Sequence, residues 1–219
     1  MAHEPPAEHV RRYYDAHAAD YDRQMQFIER RVLGQHRGWA TSQASGDVLE
    51  LAVGTGLNLP LYPAAVRTIV GVDNSDQMLA RAQQRISASG LANCRLLRAN
   101  VTSLDWADGS FDTVVSTYSL CAIPEPGPAL REARRLLRGH GLLVLVEHGP
   151  ARGRLARAIQ RLVNPLSVRL QADDLLRDPV RLARESGFDV LRCERAGLAG
   201  VVYLVLAAVD LAGSHSYRG

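Results

Sequence analysis

Asp47-Val48-Leu49-Glu50-Leu51-Ala52-Val53-Gly54-Thr55-Gly56 is the stretch whose reading decides the fold. Val48, Leu49 and Leu51 form a short apolar run of the kind a buried strand presents. Gly54 and Gly56 follow at once, where a side chain would obstruct a tight turn or a ligand. Asn58 and Pro60 then lead into a candidate helix start. Strand, glycine turn and helix start together make a nucleotide-binding corner, because strand ends and helix N–H groups converge on one place. The dinucleotide spacing G-x-G-x-x-G fails: its first glycine would fall on Ala52, and Leu57 and Leu59 stand where later glycines belong. What remains is E-x-A-x-G-x-G over residues 50–56.

Working downstream, residues 67–73 predict a second strand that ends on Asp73. Asp73 lies 17 residues beyond Gly56, about where an acidic residue accepts from both ribose hydroxyls of a bound nucleotide. Ser75 reads as the cap of a helix over 76–89, with Met78, Leu79, Ala82 and Ile86 on its inner face and Gly90 as its stop. A third strand over 94–98 delivers Asn100-Val101. Residues 104–112 connect to a fourth strand over 113–116, and residues 117–121 sit at its carboxyl end. A loop (123–128), a helix (129–138, closed by 139–141) and a fifth, almost wholly aliphatic strand (142–146) follow; Glu147-His148-Gly149 ends that strand.

Residues 151–178 read as a helical cap. Leu155, Ala158, Ile159 and Leu162 share one face, Arg154, Arg157 and Arg161 another, and Pro165 separates a second helical stretch. Two readings of this segment stand: a helix laid on the sheet with solvated arginines, or a lid over a substrate that also touches anionic headgroups. A short helix over 179–186 precedes two strands, 188–194 and 201–208, antiparallel around a turn at 197–200. Upstream, 1–8 reads as a loose tail, the early part of 9–24 is a candidate helix with Val10, Tyr13, Tyr14 and His17 at i, i+3, i+4 and i+7, and 27–43 is a second.

Composition narrows the function classes. At 219 residues the chain suits a single domain, 1–219. Every basic residue is arginine, and most are interleaved with Asp and Glu rather than gathered in a stripe, which argues against a nucleic-acid partner. Cys94, Cys121 and Cys193 are far apart and odd in number, which fits a reducing cytoplasm and argues against disulfides or a zinc site; no metal is expected. The N-terminus shows no signal-peptide pattern, and the longest apolar run, 201–209, is too short for a membrane span.

Five β-α alternations with a terminal antiparallel pair give a doubly wound α/β sheet. Residues 50–56 resemble motif I of the class I S-adenosylmethionine (SAM) methyltransferases, usually E/D-x-G-x-G-x-G, with Ala52 a slightly more crowded departure. Tyr14-Asp15-Ala16-His17-Ala18-Ala19-Asp20-Tyr21-Asp22 resembles the Y/F-D-x-x-A-x-x-Y-D box of small-molecule members, and Leu104 to Asp112 their L-P-F-x-D-x-S-F-D connector. The resemblance runs over roughly 13–208 and is closest to the small-molecule branch that includes the quinone-biosynthesis C-methyltransferases. Leu120-Cys121-Ala122-Ile123-Pro124, Glu147-His148-Gly149 and Asn164-Pro165-Leu166 are similar to a narrower group of thiol S- and phospholipid N-methyltransferase-like proteins. It implies a Rossmann-like, mostly parallel seven-stranded sheet whose last strand is reversed beside the fifth. It also implies SAM as cofactor and S-adenosylhomocysteine (SAH) as product. The cofactor-side positions it implies are Tyr21, Glu50, Ala52, Gly54, Gly56, Asn58, Asp73, Asn74, Met78, Asn100, Val101 and Ser116. Tyr21 either closes over the methionine end of SAM or packs on the core. Asn100 keeps an acceptor for the adenine amine where the family normally has an acid.

The chemistry expected is an SN2 displacement at the sulfonium methyl, in which the protein aligns a nucleophile and excludes water. The acceptor is expected to be an apolar small molecule or lipid carrying a thiol, amine or hydroxyl, held by Tyr14, Tyr118, Cys121, Leu155 and Ile159. His148 is the candidate base, or else a structural hydrogen-bonder. Cys121 has no base beside it in sequence and is a poor nucleophile. Two other classes stay open: a nucleotide-dependent oxidoreductase on a similar sheet, and a SAM-binding protein without catalysis.

Overall fold

The computed structural model describes residues 7–171 and 173–209, so most of the tail expected over 1–8 lies outside the described residues. The elements run α1 (Ala7–His17), α2 (Tyr21–Ile28), a π-helical turn (Glu29–Leu33), α3 (Arg37–Ser42), β1 (Gly46–Leu51), β2 (Val66–Asp73), α4 (Asp76–Ser89), β3 (Cys94–Arg98), β4 (Phe111–Thr117), α5 (Pro126–Leu136), β5 (Leu137–His148), α6 (Arg154–Gln171), α7 (Pro179–Glu185), β6 (Phe188–Ala196) and β7 (Val202–Val209). Seven strands form one sheet in the order β3-β2-β1-β4-β5-β7-β6. The pairs β3-β2, β2-β1, β1-β4 and β4-β5 are parallel, and β7 enters antiparallel between β5 and β6. The order reverses between β1 and β4, and such a switch point opens a crevice beyond the strand ends.

The central strands are buried on both faces, which accounts for their unbroken aliphatic runs: Val48, Leu49, Val114, Val115 and Leu143 to Val146 are fully enclosed. One core lies between the sheet, α5 and α7, the other between the sheet, α3 and α4. Helix α4 occupies the predicted residues, because its ends are written locally: Ser75 Oγ accepts from Met78 N at 3.1 Å, and Gly90 closes it at φ +64°.

Three expectations need correction. The helix expected over 27–43 is the end of α2, a π-helical turn and a short helix, parted at Gly34, whose φ is +82°. Gly139 to Gly141 do not merely close α5 but lie within β5, where a register shift opposite Phe111 and Thr113 absorbs them. Pro165 does not divide the cap: α6 runs through it as one 18-residue helix. Among the described residues no helix is long and apolar enough to cross a membrane.

Candidate active site

The carboxyl ends of β1, β2 and β4 open into a cleft of about 870 Å³ of free space, mouth included. Its floor starts at the glycine turn, where the two glycines do different work. Gly54 has φ +56°, and a Cβ there would meet nothing nearer than the Ala52 carbonyl at 4.0 Å, so it would project into open cleft. Gly56 has φ +78°, and a Cβ there would lie 2.7 Å from Leu59 Cδ1 and 3.2 Å from Ala82 Cβ, so its bareness lets the turn pack on α4. Ala52 itself sits at φ +48°, a backbone state that disfavours any Cβ.

Asp73 faces the cleft with both carboxylate oxygens anchored by the backbone: Oδ2 accepts from Gly54 N and Oδ1 from Ser75 N, each at 2.9 Å. Burial pushes its carboxyl above the usual range, against the pull of those N–H donors. Each oxygen keeps a further lone pair for a ligand hydroxyl. Asn74, Met78, Ala52 and Val101 line the same cleft, as does exposed Asn100, whose Oδ1 accepts from Thr102 N at 3.1 Å and so shapes the turn after β3.

Tyr14 from α1 and Tyr21 from α2 roof the cleft, their rings edge to face at 6.2 Å. The two aspartates of the N-terminal box tie that roof down. Asp15 Oδ1 accepts from Ser75 Oγ at 2.6 Å, at the start of α4. Asp22 Oδ1 accepts from Thr55 Oγ1 at 2.5 Å, and Asp22 pairs with Arg85, which also donates to the Thr55 carbonyl. Ala18, between them, is buried at the break, where a larger side chain would lift the helices.

Several expected cofactor-side residues lie outside the cleft lining. Glu50 is buried under the glycine turn, accepting from Asn58 Nδ2 at 2.9 Å and Tyr62 Oη at 2.8 Å. Burial pushes its carboxyl up to about 7. Asn58 in turn bonds Thr117 and Arg37, so Glu50 and Asn58 brace the turn from below. Ser116 is likewise internal, 2.7 Å from Glu147 Oε1.

Glu147 went unnoticed as a site residue in the sequence, yet its carboxylate receives Ser116 Oγ, Ser119 N and Leu120 N and so fixes the chain after β4. In that turn Tyr118 has φ +52°, and its buried hydroxyl has no hydrogen-bond partner among the described residues. Its ring lines the cleft and carries the Arg37 guanidinium 5.2 Å from its centroid. A strained, unsatisfied residue lining a cleft is a mark of a functional position.

Beside Tyr14 the fold gathers a second group. Cys121 Sγ, an imidazole nitrogen of His148 and a carboxylate oxygen of Asp173 lie within 4.8 Å of one another, and His148 Nε2 is 3.0 Å from Asp173 Oδ1. Tyr14 both lines the cleft and feels Cys121 and Asp173 electrostatically. Burial alone would lower the His148 pKa; the adjacent Asp173 charge outweighs it and the net direction is up. Cys121 is thus not without a base at hand, as its sequence neighbours suggested. Burial, reinforced by Asp173 and Glu147, nevertheless raises its thiol well above the ordinary value, so it stays protonated. No local spacing announces Asp173, which comes from the segment after α6. The cap residues Leu155 and Ile159, expected over the acceptor, are instead 77% and 55% exposed and line no part of the cleft.

Residues 49–145 match the methyltransferase domain family. The chain is 40% identical over 126 residues to a phosphatidylethanolamine N-methyltransferase of Cereibacter sphaeroides, covering 55% of this chain and 62% of that protein. It is 32% identical over 149 residues to a demethylmenaquinone methyltransferase of Lactiplantibacillus plantarum, covering 63% of this chain and 62% of that protein. The matched stretch therefore spans less than two thirds of either relative. A solved Thermotoga maritima SAM-dependent methyltransferase, described as a possible histamine N-methyltransferase, superposes over 91% of this chain and 99% of its own, with TM-score 0.68 at 20% identity. Nothing in these matches supports an oxidoreductase. The glycine turn, the reversed seventh strand and these likenesses converge: residues 49–145 match the methyltransferase domain family, and the sheet has the fold of the class I SAM-dependent methyltransferases.

Proposed function

We propose that the described residues form one enzymatic domain that transfers the methyl group of SAM to the amine of a small apolar or lipid acceptor. The cleft fits the cofactor: Gly54 leaves space that a side chain would occupy, and Asp73 offers lone pairs there. Ala52, Gly54, Asp73, Asn74, Met78, Asn100 and Val101 would hold SAM, with Tyr21 closing over it. When bound, SAM supplies a methyl carbon already activated by its sulfonium. The protein's part is then to exclude water, which the tethered Tyr14–Tyr21 roof does, and to present a nucleophile in line.

The observation that carries the amine reading is the His148–Asp173 pair. An ammonium must lose a proton before its nitrogen lone pair can attack. The Asp173 carboxylate 3.0 Å from Nε2 favours the proton on that nitrogen, which would leave Nδ1 a lone pair to receive the ammonium proton. Bound SAM would give its methyl group to that nitrogen, the new N–C bond replacing the S–C bond, and would leave as SAH. Tyr14 adds a ring that favours a cationic group. The phosphatidylethanolamine N-methyltransferase relative acts on a lipid amine by its name, which supports the lipid variant. Three free cysteines support a cytoplasmic setting.

Transfer of labelled methyl from SAM should be measured to phosphatidylethanolamine, a water-soluble aminoalkyl phosphodiester and an alkyl thiol. Transfer to an amine is expected; transfer to the thiol alone would overturn the amine reading. Asp73→Ala should weaken SAH binding by on the order of 1.5–3 kcal/mol in calorimetry while the fold survives. Unchanged affinity would remove Asp73 from the cofactor site.

A further inference from the structure

Helix α6 is turned inside out. Leu155, Ile159, Leu162, Val163, Leu166 and Leu170 fall on one stripe at helical spacing, and they are 42–82% exposed. The face turned to the protein is polar. Gln160 receives Ala151 N at 2.7 Å and donates to the Gly149 carbonyl at 3.0 Å. Asn164, buried, receives Leu175 N at 2.7 Å and donates to Asp174 at 3.0 Å, and Arg157 donates to the Ala151 carbonyl at 2.8 Å. These bonds serve backbone groups of the loops at either end of the cap, which fixes the helix with its leucines outward. Contiguous exposed aliphatic side chains of this number mark an interaction surface.

The charge on the helix selects the occupant. Its sequence, Arg-Leu-Ala-Arg-Ala-Ile-Gln-Arg-Leu-Val-Asn-Pro-Leu-Ser-Val-Arg-Leu-Gln, contains four arginines and no acidic residue. Arg154, Arg161 and Arg169 are exposed, and none has an ion pair among the described residues. A second copy laid on the stripe would set arginine against arginine. An anionic bilayer would instead take the leucines into its acyl boundary and the guanidiniums at its phosphates. Leu198 and Val32, also exposed, adjoin the start of α6, where the Ala199 carbonyl accepts from Arg152 N and Gly197 packs on the Val32 carbonyl. The opposite flank of α6 leads to the acceptor end of the cleft, since Asp174 N donates to the Cys121 carbonyl at 3.1 Å.

We infer that α6 is a monotopic docking helix that seats the protein on an anionic phospholipid surface, with its leucines in the membrane and the acceptor end of the cleft beside it. The inference deepens the lipid-amine reading and rests on it for the choice of occupant. Flotation with vesicles of phosphatidylcholine and phosphatidylglycerol at 3:1 tests it. Wild type should float with these vesicles, lose most binding on going from 50 to 500 mM salt, on the order of a Debye-length contraction, and bind pure phosphatidylcholine weakly. Leu162→Ser/Leu166→Ser/Leu170→Ser should reduce binding roughly tenfold or more, since each leucine loses apolar burial, while SAH affinity stays at wild type. Arg154→Glu/Arg161→Glu/Arg169→Glu serves as the second variant and should abolish binding to the anionic vesicles. Failure of the wild type to float, or flotation of both variants like wild type, overturns the inference. So does a wild-type dimer in light scattering that the leucine variant makes monomeric without any vesicle binding, which would assign the stripe to a copy of the chain. Vesicle binding without methyl transfer to lipid amine would sink the acceptor reading and leave the docking surface standing.

Discussion

At the level of single residues the site is organised by backbone states that side chains tolerate poorly. Gly54→Ala and Gly56→Ala should separate two functions of one turn. The first places an L residue at positive φ, a cost of about 1–2 kcal/mol, and aims a methyl into the cleft. It should leave a folded protein, a few degrees less stable, that has lost SAH binding at least tenfold. The second adds a clash with Leu59 and Ala82 and should cost about 2–4 kcal/mol in urea unfolding. Normal SAH affinity in Gly54→Ala would mean that the turn is only a turn. Glu50 makes a different prediction. Its carboxyl is held up to about 7, above its ordinary 4.5, so the folded state binds the proton more tightly than the unfolded one. Stability should therefore fall as pH rises from 4.5 to 7, by on the order of 3 kcal/mol. Glu50→Gln should flatten that decline, as thermal melts across this pH range will show; an unchanged slope would mean that Glu50 does not titrate there.

At the level of elements, α1 and α2 form a roof held by two carboxylates. Asp15 reaches the cap of α4 and Asp22 reaches the glycine turn and Arg85. The tyrosines supply the covering surface and the aspartates supply the attachment, which explains why the box alternates the two. Asp15→Ala/Asp22→Ala should weaken SAH binding roughly tenfold, since each hydrogen bond to a charged group contributes about 1.5–3 kcal/mol and part of it is spent on closure. Limited proteolysis should then cut near residues 18–34 faster than in wild type, with the sheet core still intact. Wild-type affinity in that double variant would show that the roof closes without its tethers.

At the level of the whole molecule, the Cys121–His148–Asp173 cluster exists only because β4, β5 and the segment after α6 meet. Cys121, His148 and Asp173 are far apart in sequence and within 4.8 Å in space. Asp173 raises the His148 pKa against the lowering effect of burial. A base must be neutral, so kcat/KM should fall as pH drops through that raised value. In Asp173→Asn burial is opposed only by Glu147 and Asp174, so the acid limb should move to lower pH, while kcat on the plateau drops because the ring is no longer oriented. The linked stability has the opposite course. The contribution of protonated His148 is fully present below its unfolded value and is lost as pH rises through its folded one. A pH profile identical in wild type and Asp173→Asn would exclude His148 as the proton acceptor.

The sequence by itself determined what depends on near neighbours. Helix α4 was legible because Ser75, the Met78–Ala82–Ile86 stripe and Gly90 act within a turn or two of each other. The central strands were legible because burial on both faces demands aliphatic runs, and the meeting of Gly54 and Asp73 at the cleft was legible because a strand end and the turn after it are contiguous in the chain. Only the tertiary structure decided which side of α6 faces inward. Periodicity defines two faces of a helix and cannot say which is covered; here Gln160, Asn164 and Arg157 satisfy loop backbone groups, so the polar face turned in and Leu155 and Ile159 turned out. It also decided that Glu50 and Asn58 brace the turn from beneath, and that Asp173 meets His148, because partners brought together by chain reversal leave no spacing to read.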